Sequence, residues 1–343
     1  MKSLLLYLSS IFILIYLPSA LFAASKPKEE RTEEGPEYIV PQGVPRWITV
    51  FSNLEKNSMT EILQFINKST GLNCKLNEES GRSLLPDGDY DIYIGINLND
   101  RSLNIHNYDS SLWAEINPEY KKRGVYTWSK WSSCLAVNNV IEENFSIYRS
   151  NVLRSLKGKM TMADPADDAV TLSIIGTLYR LYGKEILIDI NNTIPFYRDT
   201  GEDLVFTIES GQYSSAIGIS GYFKQSMIAG YPIDIFYESF DPNKYPVTTV
   251  SGTNVVYIPE TSSNKEGAEF LIDFLAKSLF QTFLLNTYFT PIIEVPTEEE
   301  TGFLFPEVPE NTLPFDPDLS AFEEVLIIWN EILYPKGVRE LVE

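Results

Sequence analysis

The sequence predicts an α/β protein with enough chain for two domains, and three observations carry that prediction. Residues 47–76 read as a strand, an amphipathic helix and a second strand. Residues 157–182 read as a short strand driven straight into a helix. The chain has 343 residues, 44% of them hydrophobic, which is enough to bury two separate cores.

Residues 1–23 stand outside that fold. Met1-Lys2-Ser3 precedes an apolar run from Leu4 to Phe22 with small residues at Ala20, Ala23 and Ala24, the pattern of a secretory signal peptide. The run would also span a bilayer if tilted, so an uncleaved anchor is the alternative. Ser9, Ser10, Pro18 and Ser19 interrupt it and Ala23 offers a cleavage site, which favours the signal. The mature protein is then expected outside the cytoplasm, periplasmic or extracellular, with no membrane insertion of its own. Residues 24–45 are charged and Pro-containing, and are expected to form a flexible leader.

Order is expected from Arg46. Residues 47–51 form a buried strand, and residues 54–70 a helix with Ile62, Leu63, Phe65 and Ile66 on its apolar side and Gly71 as its stop. A strand at 72–76 completes a β-α-β unit, which demands a parallel pair with a right-handed crossover. Residues 90–94 form a third strand ending in Gly95, and residues 133–138 alternate as a strand. In the segment 157–171, Met160 and Met162 share a strand face, Asp164 suits an N-cap and Pro165 the first helical position, with the helix running to Tyr182 and stopping at Gly183. Unpaired N–H groups and the positive end of that helix dipole would then point out of the C-terminal edge of a sheet, where α/β proteins gather ligands. Strands follow at 216–220 (after a turn at Gly211), 233–237 and 255–258. A helix at 266–285 repeats Ala268, Phe270, Leu271, Phe274, Leu275 and Leu279 at helical spacing. Residues 291–318 are acidic and Pro-rich and read as an irregular surface segment, before a last helix at 319–333.

Composition narrows function. Lys and Arg number 27 against 47 Asp and Glu, a formal net charge of −20, which makes nucleic acid and anionic membranes poor partners. Cys74 and Cys134 could pair in an oxidising compartment, but both lie in apolar strand-like runs and read as buried free thiols. His106, the only histidine, lies in a polar stretch and reads as surface loop, so neither a metal site nor a cofactor is expected. No Ser/His/acid set and no phosphate-cradling glycine loop is visible, so no enzyme is expected. Asp167 and Asp168, adjacent on a helix, would point about 100° apart and could not act together as an acid/base couple.

The order of these features resembles the extracytoplasmic solute-binding proteins of ABC importers, the type II periplasmic-binding-protein group that includes ferric-iron, thiamine and phosphonate binders. The resemblance rests on Trp47-Ile48-Thr49-Val50-Phe51-Ser52 as first strand and ligand loop, Thr70-Gly71-Leu72 as a turn, Tyr90 to Gly95 as third strand, and Trp131 to Asn138 as an aromatic-rich strand crossing between lobes. Lys157 to Pro165, Glu209-Ser210-Gly211 with 216–219, and Ala268 to Gln281 extend it. It implies two lobes, each a mainly parallel sheet flanked by helices, joined by two crossing segments: lobe 1 from 46–137 with 248–295, lobe 2 from 138–247 with 318–343, and 296–317 as the surface segment. It implies capture of a small-molecule solute in the interlobe cleft and a membrane permease as partner.

Position by position, the resemblance places ligand contacts at Ser52 and Asn53, at Gly95 and the following Ile96 and Asn97, at Asp167, Asp168 and Thr171, and at Tyr222. Iron binders of the group carry a His or acid near the first loop and a tandem Tyr pair; here Ser52-Asn53 and Tyr222-Phe223 stand there, which argues against high-affinity ferric iron. A carboxylate at the helix start would repel a phosphoryl oxygen by about 4 kcal/mol at surface-like dielectric, which argues against inorganic phosphate. Trp128, Trp131 and Tyr222 could instead stack on a flat or cationic solute. The plainer alternatives are that the two Trp pack a lobe, that the acids complement a helix dipole facing solvent, and that the protein is a binding-protein-like sensor or scaffold with no transport role.

Overall fold

The computed structural model describes residues 38–81, 86, 88–97, 104–143, 145, 151–237, 239–293, 307–315 and 319–333. The proposed signal at 1–23 and leader residues 24–37 lie outside the described residues. The remainder of that leader does not behave as a flexible arm: Val40 is buried, its N–H donates to the Thr70 carbonyl, and the Tyr38 ring meets Phe274 edge-on. Apolar Tyr38 and Val40 end the charged run, and the core takes them.

The first β-α-β unit forms as its periodicity demands. β1 (Trp47–Phe51) pairs in parallel with β2 (Asn73–Leu76) across α1 (Lys56–Thr70), whose Met59, Ile62, Leu63 and Ile66 are buried. Gly71 ends α1 at φ 73°, a conformation that costs an L side chain energy. β3 (Ile92–Ile96) lies parallel on the other side of β1. Gly95 is therefore inside the strand rather than after it, paired with Val255.

A short helix α2 (Ser111–Ala114) and β4 (Lys121–Lys122) precede β5 (Val125–Asn138), fourteen residues long. β5 is the axis of the molecule. Its first half pairs antiparallel with residues 251–256, and residues 133–138 pair with residues 215–219 and 233–236. α3 (Val152–Ser155) leads into β6 (Met160–Ala163), entirely buried, which sits parallel to β7 (Tyr197–Arg198) and β8 (Ser215–Ile219). α4 (Ala169–Tyr182) and α5 (Lys184–Thr193) connect β6 to β7, α6 (Gly201–Glu209) precedes β8, and α7 (Ser220–Ile228) joins β8 to β9 (Ile233–Phe236).

The chain then returns. β10 (Val250–Tyr257) starts five residues earlier than expected, its first N–H donating to the Ser133 hydroxyl at 2.8 Å. The strand order β2-β1-β3-β10-β5-β8-β6-β7 makes one curled sheet in two halves, which meet along β5. The first half is mixed rather than mainly parallel, because β10 runs antiparallel to both its neighbours β3 and β5.

The expected 266–285 helix is two: α8 (Lys265–Leu275) and α9 (Ser278–Leu284). Gln281, fully buried, makes the break tolerable by donating to the carbonyls of Leu275 (2.8 Å) and Trp128 (3.0 Å). The bend places Phe274 and Phe280 in one aromatic cluster with Phe65 and Phe283. Much of the acidic 296–317 segment lies outside the described residues, but its end is tied down: β11 (Leu313–Pro314) pairs with β10, and the Phe315 ring packs on Trp131. α10 (Leu319–Ile328), continued by a π turn at Trp329–Leu333, covers α4, with the Phe322 ring against Gly176.

His106 is not a free surface loop residue. Its Nε2 lies 2.8 Å from Glu269 Oε1 and its Nδ1 3.6 Å from Glu260 Oε2, pinning its loop to α8. Both cysteines are buried and unbonded, and burial pushes the Cys74 thiol up to about 12. Among the described residues no helix is long and apolar enough to cross a membrane, and no three His, Cys, Asp or Glu side chains are placed to hold a metal ion.

Candidate functional site

A cavity of about 230 Å³ opens between the two sheet halves. One edge is the turn from β1 into α1 (Asn53, Glu55, Lys56, Asn57) with Gly81; the opposite edge is the start of α4 (Asp167, Asp168, Ala169) with Asp199 and Thr200 before α6. Of the nine positions expected from sequence, Asn53, Asp167 and Asp168 line it together. It is smaller than the ~300 Å³ at which pockets for drug-sized ligands begin.

The β1–α1 turn is held by its own short side chains. Ser52 is fully buried; its Oγ accepts from Leu54 N–H, its N–H donates to the Ser80 hydroxyl and its carbonyl accepts from Gly81. Ser52 thus shapes the loop instead of facing the cleft. Asn53 Oδ1 accepts from Ile96 N–H at 2.9 Å, tying the loop to the end of β3. A Cβ at Gly95 would overlap that Asn53 oxygen and the Tyr93 hydroxyl, so Gly95 contributes by letting the loop approach. Asn97, half-buried just beyond β3, is not among the residues lining the cavity.

The helix cap is displaced from its expected position. Asp164 closes a separate turn, its carbonyl accepting from Asp167 and Asp168 N–H. Its carboxylate is engaged by Ala166 N–H (2.9 Å) and Trp329 Nε1–H (3.1 Å). With Asp164 so occupied, α4 begins four residues later and Asp168 caps it, Oδ1 accepting from Thr171 N–H at 2.5 Å. The helix start expected to receive a ligand's negative charge is therefore filled by the chain's own carboxylate. Thr171 is buried behind that cap, while Asp167 is exposed at the rim. Burial raises the Asp168 carboxyl above its ordinary value, and the Thr171 hydrogen bond works against that rise.

Trp128 does not touch the cleft. A register shift in the β5–β10 pairing turns it into the core with no exposed surface, its ring 5.1 Å from Phe289 and 6.0 Å from Phe280. Trp131 is likewise packed, over Gly252 and against Phe315. Tyr222, 5% exposed, is not among the residues lining the cavity; it packs edge-on to Tyr288 at 4.9 Å and against Gly201, where a Cβ would strike its ring.

The residues missed from sequence are acids. Glu55 occupies the N-cap position of α1 but makes no capping bond. It points across the cleft instead: Glu202 N–H approaches its Oε1 at 3.5 Å, and Asn57 Nδ2–H donates to Glu202 Oε2 at 2.8 Å. Glu55 Oε2 is buried without a hydrogen-bond partner. Burial, reinforced by the charges of Glu202 and Asp168, pushes the Glu55 carboxyl up to about 8. The lining holds four carboxylates (Glu55, Asp167, Asp168, Asp199) against one lysine, Lys56, with Glu202 adjacent. A long acid at an N-cap position, where Ser, Thr, Asp and Asn are usual, was the one signal in sequence that could have flagged Glu55.

No protein-family model and no curated protein sequence matches the chain. Among solved structures it is similar to the ferric binding protein from Campylobacter jejuni, at 15% identity over 83% of this chain and 98% of that one, with a TM-score of 0.66. It is similar to the periplasmic binding protein AfuA from Actinobacillus pleuropneumoniae, with fructose-6-phosphate bound (14% identity, 84% and 98% covered, TM-score 0.62). A protein described as a two-component system protein in signal transduction also matches (14% identity, 82% and 99% covered, TM-score 0.60). The chain has the two-lobed type II periplasmic-binding-protein fold. At these identities the likeness defines the fold and leaves the ligand to the site's own chemistry.

Proposed function

We propose that this chain is an extracytoplasmic solute-binding protein of an ABC-type importer that captures a small, positively charged organic solute between its lobes, taking 46–137 with 248–295 as one lobe and 138–247 with 318–343 as the other. The observation that carries this reading is the placement of Glu55, Asp168 and Glu202 around one interlobe cavity, with one Glu55 oxygen buried and unpartnered. A buried carboxylate oxygen without a donor costs free energy that an ammonium or amidinium group would recover. The site has the wrong chemistry for phosphate, since Asp168 already occupies the α4 N-terminus, and among the described residues no three of its acids are placed to hold a metal ion together. Catalysis has no part in this reading: the acids recognise charge, and the importer's membrane permease would read the closed form. Native mass spectrometry of protein purified without a ligand wash tests it. A bound cation of low mass, lost in Glu202→Gln, is the expected result; a bound anion, or no solute from any expression condition, would contradict it.

A second reading, a binding-protein-like sensor or scaffold, draws support from the Asn57–Glu202 hydrogen bond, by which the chain's own side chains bridge the cleft edges.

A further inference from the structure

The two edges of the cleft are joined through a carboxyl group that faces other carboxylates. Glu55 meets Glu202 from α6 and Asp168 from the cap of α4, with Thr200 from the turn before α6, and with Tyr222 of α7 and Tyr288 behind them. Asp167 and Asp199 add negative charge at the rim, and Lys56, next to Glu55 in the chain, is the one cationic residue among the described lining. Yet the edges touch: Glu202 N–H reaches Glu55 Oε1 at 3.5 Å and Asn57 Nδ2–H reaches Glu202 Oε2 at 2.8 Å, across 147 and 145 residues of sequence.

We propose that Glu55 is a proton-operated latch between the lobes: with a proton on its carboxyl the empty cleft closes, and once that proton leaves the cleft opens. A protonated Glu55 removes one of three facing negative charges; the Glu202 N–H and Thr200 hydrogen bonds favour the ionised form, but burial and the charges of Glu202 and Asp168 outweigh them. An ionised Glu55 sets Glu55, Glu202 and Asp168 against one another in a partly desolvated space, which closure makes worse and opening to water relieves. Burial and neighbouring charge bring the Glu55 carboxyl to about 8, so the exchange falls near neutral pH and not in acid. If the site is the cation receptor proposed above, on which this exchange rests, an ammonium group takes the proton's place: the Glu55 proton passes to solvent as the cation enters, and binding below about pH 8 releases one proton.

The test is the interlobe distance in the solute-free protein, read between spin labels at Lys68→Cys on α1 and Ser210→Cys beyond α6, both exposed positions. In the otherwise unaltered protein the distance should lengthen between pH 6.5 and 9.5, with a midpoint near 8. Glu55→Gln should stay short at both pH values, and Glu202→Gln should lengthen less. A distance that does not change with pH, or Glu55→Gln and Glu202→Gln opening as fully as the parent, would overturn the latch. Adding 1,4-diaminobutane or methylammonium at pH 9.5 separates the two claims. Opening that no amine reverses leaves the latch in place and removes the cationic-solute reading instead.

Discussion

Glu55 sits where a helix start ordinarily carries a short capping side chain, and it reaches across a cleft instead. Its ordinary carboxyl value of 4.5 rises to about 8 in the folded chain, so the native state holds a proton that the unfolded state has lost anywhere between those values. The associated stability is fully present below about pH 4.5 and is lost as pH rises through about 8. With its partial exposure discounted, this is worth about 3 kcal/mol. Chemical denaturation at pH 6 and pH 9 covers a little over half of that interval, so the parent should lose about 2 kcal/mol relative to Glu55→Gln; an equal pH response in both proteins would contradict the assignment. Asp168 makes a separate prediction. Asp168→Ala should cost about 1 kcal/mol through loss of the Thr171 cap, whereas Asp168→Asn, which keeps an acceptor, should stay within about 0.5 kcal/mol of the parent in urea unfolding. The sequence pointed to Asp168 for a ligand and to Asp164 for the cap. Asp164 is held instead by a local turn to Ala166 and by Trp329, 165 residues away, and local pattern carries no trace of so distant a donor.

At the scale of elements, strands and helices were legible where periodicity was strong. The β1–α1–β2 unit, β6, the end of α4 at Gly183, and the start of the last helix fall where apolar spacing puts them. The break between α8 and α9 was not, because the apolar repeat runs through it and the cause is a single buried glutamine reaching back to Leu275 and Trp128. Nor was the fate of Trp128, since an aromatic on a long strand faces core or cleft according to a register shift that only pairing reveals. Trp128→Ala should destabilise by about 3–5 kcal/mol as a core cavity. Trp128→Phe should leave the affinity of any cleft solute unchanged; a tenfold loss would restore the stacking role the structure denies it. Trp329→Phe tests how α10 supports the site, and should cost about 1–2 kcal/mol by removing the Asp164 hydrogen bond.

For the whole molecule, the curled sheet places β5 at the junction and brings the β1–α1 turn to face the start of α4. The sequence indicated that a cleft would lie between strand tips and helix starts, and three of its nine site residues do line the cavity. It could not rank Glu55 or Glu202, because their meeting joins segments 147 residues apart in the chain. A net charge of −20 gives such a cleft a field that draws cations from solution. The charge selectivity of that cleft is the central claim, and thermal denaturation with matched panels of small amines and small phosphates or carboxylates at pH 7 and pH 9 tests it most directly. The account predicts that an amine raises the melting temperature, more at pH 9 than at pH 7, and that no anion does. Stabilisation by an anion, with amines inert at both pH values, would contradict it.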